Sequence, residues 1–331
     1  MSELIGRVVL VTGADGFIGS HLVERLVAKG AHVRAFCLYN PQGSWGWLDH
    51  APADVRAAID VRLGDIRDPG FVAEACRGVE IVLHLAALIA IPYSYVAPES
   101  FVSTNVTGTL NVLEAVRRYG VARLIHTSTS EVYGTPDQLP IREDHPLRAQ
   151  SPYAATKVAA DQLALAYHRS FGVPVTVLRP FNTYGPRQSA RAVLPTILTQ
   201  LIAGRTEVEL GRTDTRRDLT FVADTVDGFV RASYRPGLEG ETIQLGTGRA
   251  VSIRELFDLA VQVVGNAATI KVDPRRLRPD PSEVLALQSS ADRARELLGW
   301  EATVSLEDGI ARTVDWLRAN MSAYRPGELH V

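Results

Sequence analysis

Short β-branched runs alternate with helical patterns through the first 180 residues, and this order constrains the fold more than any single motif. Strand-like runs lie at 7–11, 32–37, 60–63, 80–83, 123–126 and 173–178, with helical patterns between them at 18–29, 69–76, 98–119 and 152–171. Parallel strands need long crossover connections, and a helix is the usual one. The alternation therefore predicts an α/β fold, a doubly wound parallel sheet of Rossmann type with its ligand at the carboxyl ends of the strands. Beyond about residue 180 the order loosens. Helices are expected near 192–203, 222–232, 253–264 and 306–318, and a strand at 207–210, while the Arg- and Pro-rich stretch 275–281 reads as a loop.

Charge and cysteine usage narrow the class. A net charge of −2 argues against nucleic acid or an anionic membrane surface as a bulk partner. Cys37 and Cys76 form no disulfide framework, and no His, Cys or Asp cluster has metal-ligand spacing, so no metal is expected. No apolar stretch is long enough to span a bilayer, and no Gly-x-Ser-x-Gly elbow marks a hydrolase. A cytoplasmic location is the expectation.

The stretch from Val8 to Gly19 places Gly13, Gly16 and Gly19 at G-x-x-G-x-x-G spacing between a strand and a helix. Gly13 permits a tight turn, Gly16 lets backbone approach a pyrophosphate, and Gly19 lets the helix pack close on the sheet. Asp15, Phe17 and Ile18 are assigned to the same cofactor edge. The ribose reader is missing: the second strand ends Cys37-Leu38-Tyr39-Asn40, with no acid and no Arg just past Cys37. NAD is the expected cofactor, with NADP left open. Asp65 and Ile66 either contact the adenine or serve a turn after the third strand. Residues 1–180 are expected to form the NAD-binding domain. Residues 181–331 then make a smaller C-terminal substrate-binding lobe, with some segments returning to the first domain.

Tyr153 and Lys157 are four residues apart, on one face of a helix, where an ammonium can depress a phenol pKa. Tyr153 is expected to take a proton from a sugar hydroxyl as hydride leaves its carbon. Lys157 would hold the tyrosinate and the nicotinamide ribose, and Thr129 would hydrogen-bond the same hydroxyl. Glu131 points to a further step after oxidation. His84 and His126 lie in strands of buried type and read as structural.

With these pieces, the chain resembles the extended short-chain dehydrogenase/reductases, the nucleotide-sugar epimerase/dehydratase family, over essentially its full length. The resemblance is carried by His84-Leu85-Ala86-Ala87, Asn105-Val106-Thr107-Gly108-Thr109, Arg179-Pro180-Phe181-Asn182-Thr183-Tyr184-Gly185-Pro186-Arg187 and Arg217-Asp218-Leu219-Thr220-Phe221-Val222. It implies that Asn182 and Arg217 meet a substrate diphosphate and that Leu85, Ala86 and Ala87 line the cofactor. It also implies a homodimer through a four-helix bundle made by 98–119 and 152–171.

Glu131 resembles the glutamate of 4,6-dehydratases and of UDP-glucuronate decarboxylases. With C4 oxidised, the C5 proton is acidic. A glutamate there can remove it and protonate the departing C6 hydroxyl. Ser130 stands where deoxythymidine-diphosphoglucose dehydratases carry Asp, which resembles the GDP-mannose 4,6-dehydratases instead. Arg278 and Glu283, in Leu277-Arg278-Pro279 and Pro281-Ser282-Glu283-Val284, resemble a nucleotide-binding segment of that group. Ser44-Trp45-Gly46-Trp47-Leu48-Asp49 and Gln188–Val193 are similar to the GDP-N-acetylglucosamine 4,6-dehydratases. Trp45 and Trp47 could equally pack a loop. Arg187 and Arg191 either clamp a phosphate or meet a sugar carboxylate, and Arg191 could be a solvated helix residue. The expected activity is a nucleotide-sugar 4,6-dehydratase acting on a GDP-linked hexose or N-acetylhexosamine. Alternatives are a 4-epimerase, a UDP-glucuronate decarboxylase, or a non-catalytic NAD sensor.

Overall fold

A computed structural model describes residues 3–329. Strands β1 (Val8–Thr12), β2 (His32–Leu38), β3 (Ile59–Gly64), β4 (Ile81–His84), β5 (Arg123–Thr127), β6 (Val175–Pro180) and β7 (Thr242–Leu245) make one sheet. Its spatial order is β7-β6-β5-β4-β1-β2-β3, with every neighbouring pair parallel. The order reverses between β1 and β4, which opens the crevice where doubly wound sheets take their ligands.

Strand pleating divides the core. Val9 and Val11 of β1 pack into one buried apolar cluster, and Leu10 between them packs into another. Helix α1 (Phe17–Ala28) joins the first cluster through Leu22, Val23 and Leu26. Helices α2 (Pro69–Cys76) and α3 (Gly108–Tyr119) join the second through Val72, Cys76, Val112 and Val116. Helix α4 (Pro152–Phe171) starts where the Ser151 hydroxyl accepts the Ala154 N–H at 3.1 Å and Pro152 fills the first turn. It ends at Gly172, whose φ of +69° suits a left-handed cap.

The expected helix 98–119 is interrupted by a π-helical stretch, Val102–Thr107. Within it, the Asn105 side chain accepts the Leu88 N–H at 2.8 Å and donates to Leu88 O and the Thr156 hydroxyl, each at 3.0 Å. That residue ties the loop after β4 to α4. Past β6, short strands pair in twos and threes: Arg216–Asp218 lies between Ala250–Ser252 and Ala286–Leu287. The Arg- and Pro-rich loop contains two single 3-10 turns, Pro274–Arg276 and Asp280–Ser282. Among the described residues, no helix is long and apolar enough to cross a membrane.

Candidate active site

The glycine loop brings β1 against the segment after β4. Gly13 has φ +68°, and a Cβ there would lie 2.9 Å from Ala86 N. A Cβ on Gly19 would lie 2.1 Å from Gly13 O, so α1 can start this close only without one. The Thr12 hydroxyl accepts from Leu85 N and Ala86 N, each at 3.1 Å. Ala87 follows, half-buried. No side chain caps α1 at Gly16, so N–H groups of its first turn stay free for an anion, with half-buried Phe17 and Ile18 opening the helix. An uncapped helix start behind a loop with glycines at 13 and 16 fits a dinucleotide pyrophosphate. Asp15 reaches the far end of β2, where its Oδ2 accepts the Leu38 N–H at 3.3 Å.

Asp65 serves a turn after the third strand. Its carboxylate accepts from Arg67 N at 2.9 Å and Arg67 Nη2 at 2.5 Å, and Ile66 is buried against Gly108. Arg34 points away from the cofactor edge, to Asp60 Oδ2 at 3.0 Å.

On the other side of the switch point, Thr129, Glu131, Tyr153 and Lys157 converge. Thr129 Oγ1 accepts the Glu131 N–H at 3.2 Å, opening a short 3-10 turn that contains Ser130 and leaves Glu131 half-buried. Ser130 itself is buried. The pairing of Tyr153 with Lys157 departs from expectation. Lys157 Nζ donates to Thr127 O at 2.6 Å. Burial pushes the Tyr153 phenol up; the Thr129 hydrogen bond opposes this, and the Glu131 and Asp161 charges reinforce it. Desolvation of the phenolate thus outweighs any help from the ammonium. Burial also lowers Lys157 to about 8, with the Asp161 charge opposing.

Behind this set lies a buried polar network that the sequence reading missed. Asp161 Oδ2 accepts from Ser128 Oγ at 2.6 Å and from Arg179 Nη2 at 3.0 Å, and its Oδ1 lies 3.2 Å from His126 Nε2. Arg179 Nη1 and Gln244 Nε2 both donate to the Tyr133 hydroxyl, at 2.8 and 2.6 Å. Asp161 stands four residues past Lys157, and that helical spacing was the available signal. His84 is held between the Thr12 and Thr109 hydroxyls at 2.8 and 3.0 Å, and burial keeps it and His126 low in pKa. Both histidines are structural, as expected.

The substrate candidates divide. Buried Arg217 lies near Glu131, whose charge acts on it, and its Nη2 donates to Glu283 Oε1 at 3.3 Å. Arg278 Nη1 lies 3.7 Å from the same oxygen. Arg278 and Glu283 line a cavity of about 400 Å³ with Arg212, Leu277 and Asp280. Asn182 Oδ1 is buried without a hydrogen-bond partner. Arg187 and Arg191 do not join this group by any contact. Arg187, at φ +69°, donates to Glu24 Oε1 at 2.6 Å and Ser20 Oγ at 3.2 Å, so its charge is taken by α1 rather than left for a phosphate. Arg191 is exposed in the loop before the next helix, its Nε on Ser189 Oγ at 3.2 Å. Trp47 packs instead of facing substrate, its ring centroid 5.4 Å from that of Trp316 and 6.5 Å from that of Tyr324. Trp45 packs against the same core, half-buried.

Residues 10–313 match the family model described as GDP-mannose 4,6 dehydratase. The chain belongs to the extended short-chain dehydrogenase/reductase family of NAD-dependent nucleotide-sugar epimerases and dehydratases. It is 37% identical over 322 residues to a UDP-glucose 4-epimerase of Mycolicibacterium smegmatis, covering 93% of this chain and 98% of that one. It is also 37% identical over 328 residues to a dTDP-glucose 4,6-dehydratase of an Actinoplanes species, covering 95% and 98%. Among solved structures, dTDP-glucose 4,6-dehydratase DesIV from Streptomyces venezuelae, with NAD bound, superposes at TM-score 0.85 and 33% identity over 96% of this chain and 98% of that one. UDP-glucuronic acid 4-epimerase from Bacillus cereus, in complex with UDP-glucuronic acid and NAD, gives 0.87 at 28% identity over 95% and 99%.

Proposed function

We propose that this enzyme is a nucleotide-sugar 4,6-dehydratase, converting a sugar nucleotide to its 4-keto-6-deoxy derivative. The observation that carries the reading is Glu131, a half-buried carboxylate whose charge acts on both Tyr153 and Arg217. NAD, when bound, supplies a hydride acceptor and donor together with a positive charge. Tyr153, as a phenolate favoured by the Lys157 ammonium and by the positive charge of bound NAD, would accept the proton of the C4 hydroxyl, held in line by Thr129, and become the neutral phenol. Glu131 then takes the C5 proton and gives a proton to the C6 oxygen as the C6–O bond breaks, so that water leaves. The hydride taken from C4 would return to C6 and a proton to C5, which gives the 4-keto-6-deoxy sugar and restores the cofactor. Arg217, Arg278 and Asn182 bind the diphosphate and nucleotide. Arg217 and Arg278 share the single Glu283 Oε1, and two guanidiniums on one carboxylate support an anionic ligand beside them.

A GDP-linked hexose is the first substrate proposed, supported by the description of the matching family model and by Ser130 beside Glu131. A GDP-linked N-acetylhexosamine stands beside it, and the packing of Trp47 on Trp316 and Tyr324 supports a structural part for that residue. A 4-epimerase is the second reading, favoured by the 37% identity to a UDP-glucose 4-epimerase. The division at about residue 180 into cofactor and substrate halves belongs to this proposal, as does a homodimer through 98–119 and 152–171. Val102 and Phe171, half exposed on those segments, are available for such a contact.

Mass spectrometry on the enzyme with GDP-, UDP-, CDP- and dTDP-sugars tests the reading. Loss of one water supports dehydration, and its absence in Glu131→Gln with C4 oxidation retained assigns Glu131. A product of unchanged mass but new retention replaces dehydratase with epimerase. Loss of carbon dioxide from a uronate replaces it with decarboxylase.

A further inference from the structure

Doubly wound nucleotide folds take the adenosine ribose with an acid about 20 residues past the glycine loop, at the end of the second strand. Here β2 ends in Leu38, followed by Tyr39 and Asn40, and supplies none. Asn40 cannot substitute, because both ends of its amide are occupied. Nδ2 donates to Leu38 O at 3.2 Å and Ser44 O at 2.8 Å, while Oδ1 accepts the Ser44 N–H at 3.0 Å. Asp49 is equally committed, to Ser44 Oγ at 2.6 Å and Trp45 N at 3.2 Å.

Asp15 is different. It comes from the glycine loop itself, yet its carboxylate lies across the end of β2, on the Leu38 N–H. Burial raises its pKa, backbone hydrogen bonds oppose this, and no cation is among the causes. Its backbone is fixed from the other side: Trp47 N donates to Asp15 O at 3.1 Å, and a Cβ on Gly46 would lie 2.6 Å from that oxygen. The packed Trp47 therefore anchors the segment that holds Asp15 in place. Next to the carboxylate, Leu38 and Tyr39 are 59% and 67% exposed, an apolar surface beside a desolvated acceptor. The cations of this sheet edge are already paired, Arg34 and Arg62 with Asp60 and Arg67 with Asp65.

We infer that Asp15 is the acceptor for the adenosine ribose hydroxyls in place of the missing β2 acid, and that it selects NAD against NADP. The inference rests on the dinucleotide reading of the glycine loop. A carboxylate accepts two hydroxyl donors, whereas a 2′-phosphate would bring a second anion against it with no paired arginine to spare.

Calorimetric titration of cofactor-stripped enzyme with NAD, NADP and 2′-deoxy-NAD tests this, using wild type and Asp15→Asn. Wild type should bind NAD about tenfold or more tighter than either analogue, the scale of a lost charge-assisted hydrogen bond. Asp15→Asn should weaken NAD about tenfold, weaken 2′-deoxy-NAD by less, since only the 3′-hydroxyl contact is left to lose, and narrow the gap to NADP. Unchanged NAD-to-NADP and NAD-to-deoxy ratios in the variant, whether or not overall affinity falls, overturn the inference alone. Wild type that binds 2′-deoxy-NAD as tightly as NAD overturns it without reference to the variant's folding. Wild type that binds none of the three overturns the dinucleotide reading, and the inference with it.

Discussion

Asp161 holds Arg179 at 3.0 Å with both side chains almost wholly excluded from water, one helical turn beyond the Lys157 ammonium. The pair fixes α4 against β6, and so fixes the helix that carries Tyr153 and Lys157. Burial favours the neutral acid, but His126, Arg179 and Ser128 outweigh it and hold Asp161 below the usual carboxylate range.

Asp161→Asn should therefore destabilise the fold by about 3–5 kcal/mol, since it leaves a buried guanidinium uncompensated. Because the folded-state pKa is depressed, the wild-type contribution is present above about pH 4 and is lost as pH falls through the folded value. Urea midpoints from pH 3 to pH 7 check both points. A variant as stable as wild type at pH 7 would show that Arg179 finds another counterion.

Lys157 gives the opposite sign. Its folded pKa of about 8 lies below its unfolded value, so burial of the charged form costs stability below pH 8. The unfolded chain holds the extra proton between about 8 and 10.5, and stability rises with pH across that window. Lys157→Met should abolish turnover yet raise the neutral-pH unfolding free energy by roughly 1–3 kcal/mol, offset in part by loss of the bond to Thr127 O. Denaturant melts at pH 7 and pH 10 should show that gain shrinking as pH rises. A constant or growing gain contradicts the assignment.

Trp47→Ala separates packing from recognition. Removing a half-buried ring packed edge-on to Trp316 and stacked on Tyr324 should cost about 2–3 kcal/mol, with the KM for sugar nucleotide within about twofold of wild type. Thermal melting and steady-state kinetics read the two effects apart. A raised KM at unchanged Tm would return Trp47 to the substrate.

Much of the frame was legible because its signals are local. Six of the seven sheet strands and the glycine loop appear as runs and spacings within about twenty residues. Strand β7 went unread because Thr-Ile-Gln-Leu, although it alternates, is only four residues long and stands between loops, too short a run to stand out. Thr129, Glu131, Tyr153 and Lys157 were found by type and spacing, and the fold brings them to one end of the sheet. The ion pair of Arg187 with Glu24 was not legible, because Glu24 lies far away in sequence on α1 and nothing near Arg187 announces it.

By itself the sequence determined the parallel sheet, the glycine loop and the residue types of the candidate site, since each follows from short-range pattern and chemistry. Only the tertiary structure decided where charge is spent. It committed Arg187 to Glu24, Asp65 to Arg67 and Arg179 to Asp161, while leaving Asp15 at the edge of β2 without a cation. The physical reason is that a buried charge takes whichever opposite charge the packing brings within hydrogen-bond reach, and chain separation does not set that distance.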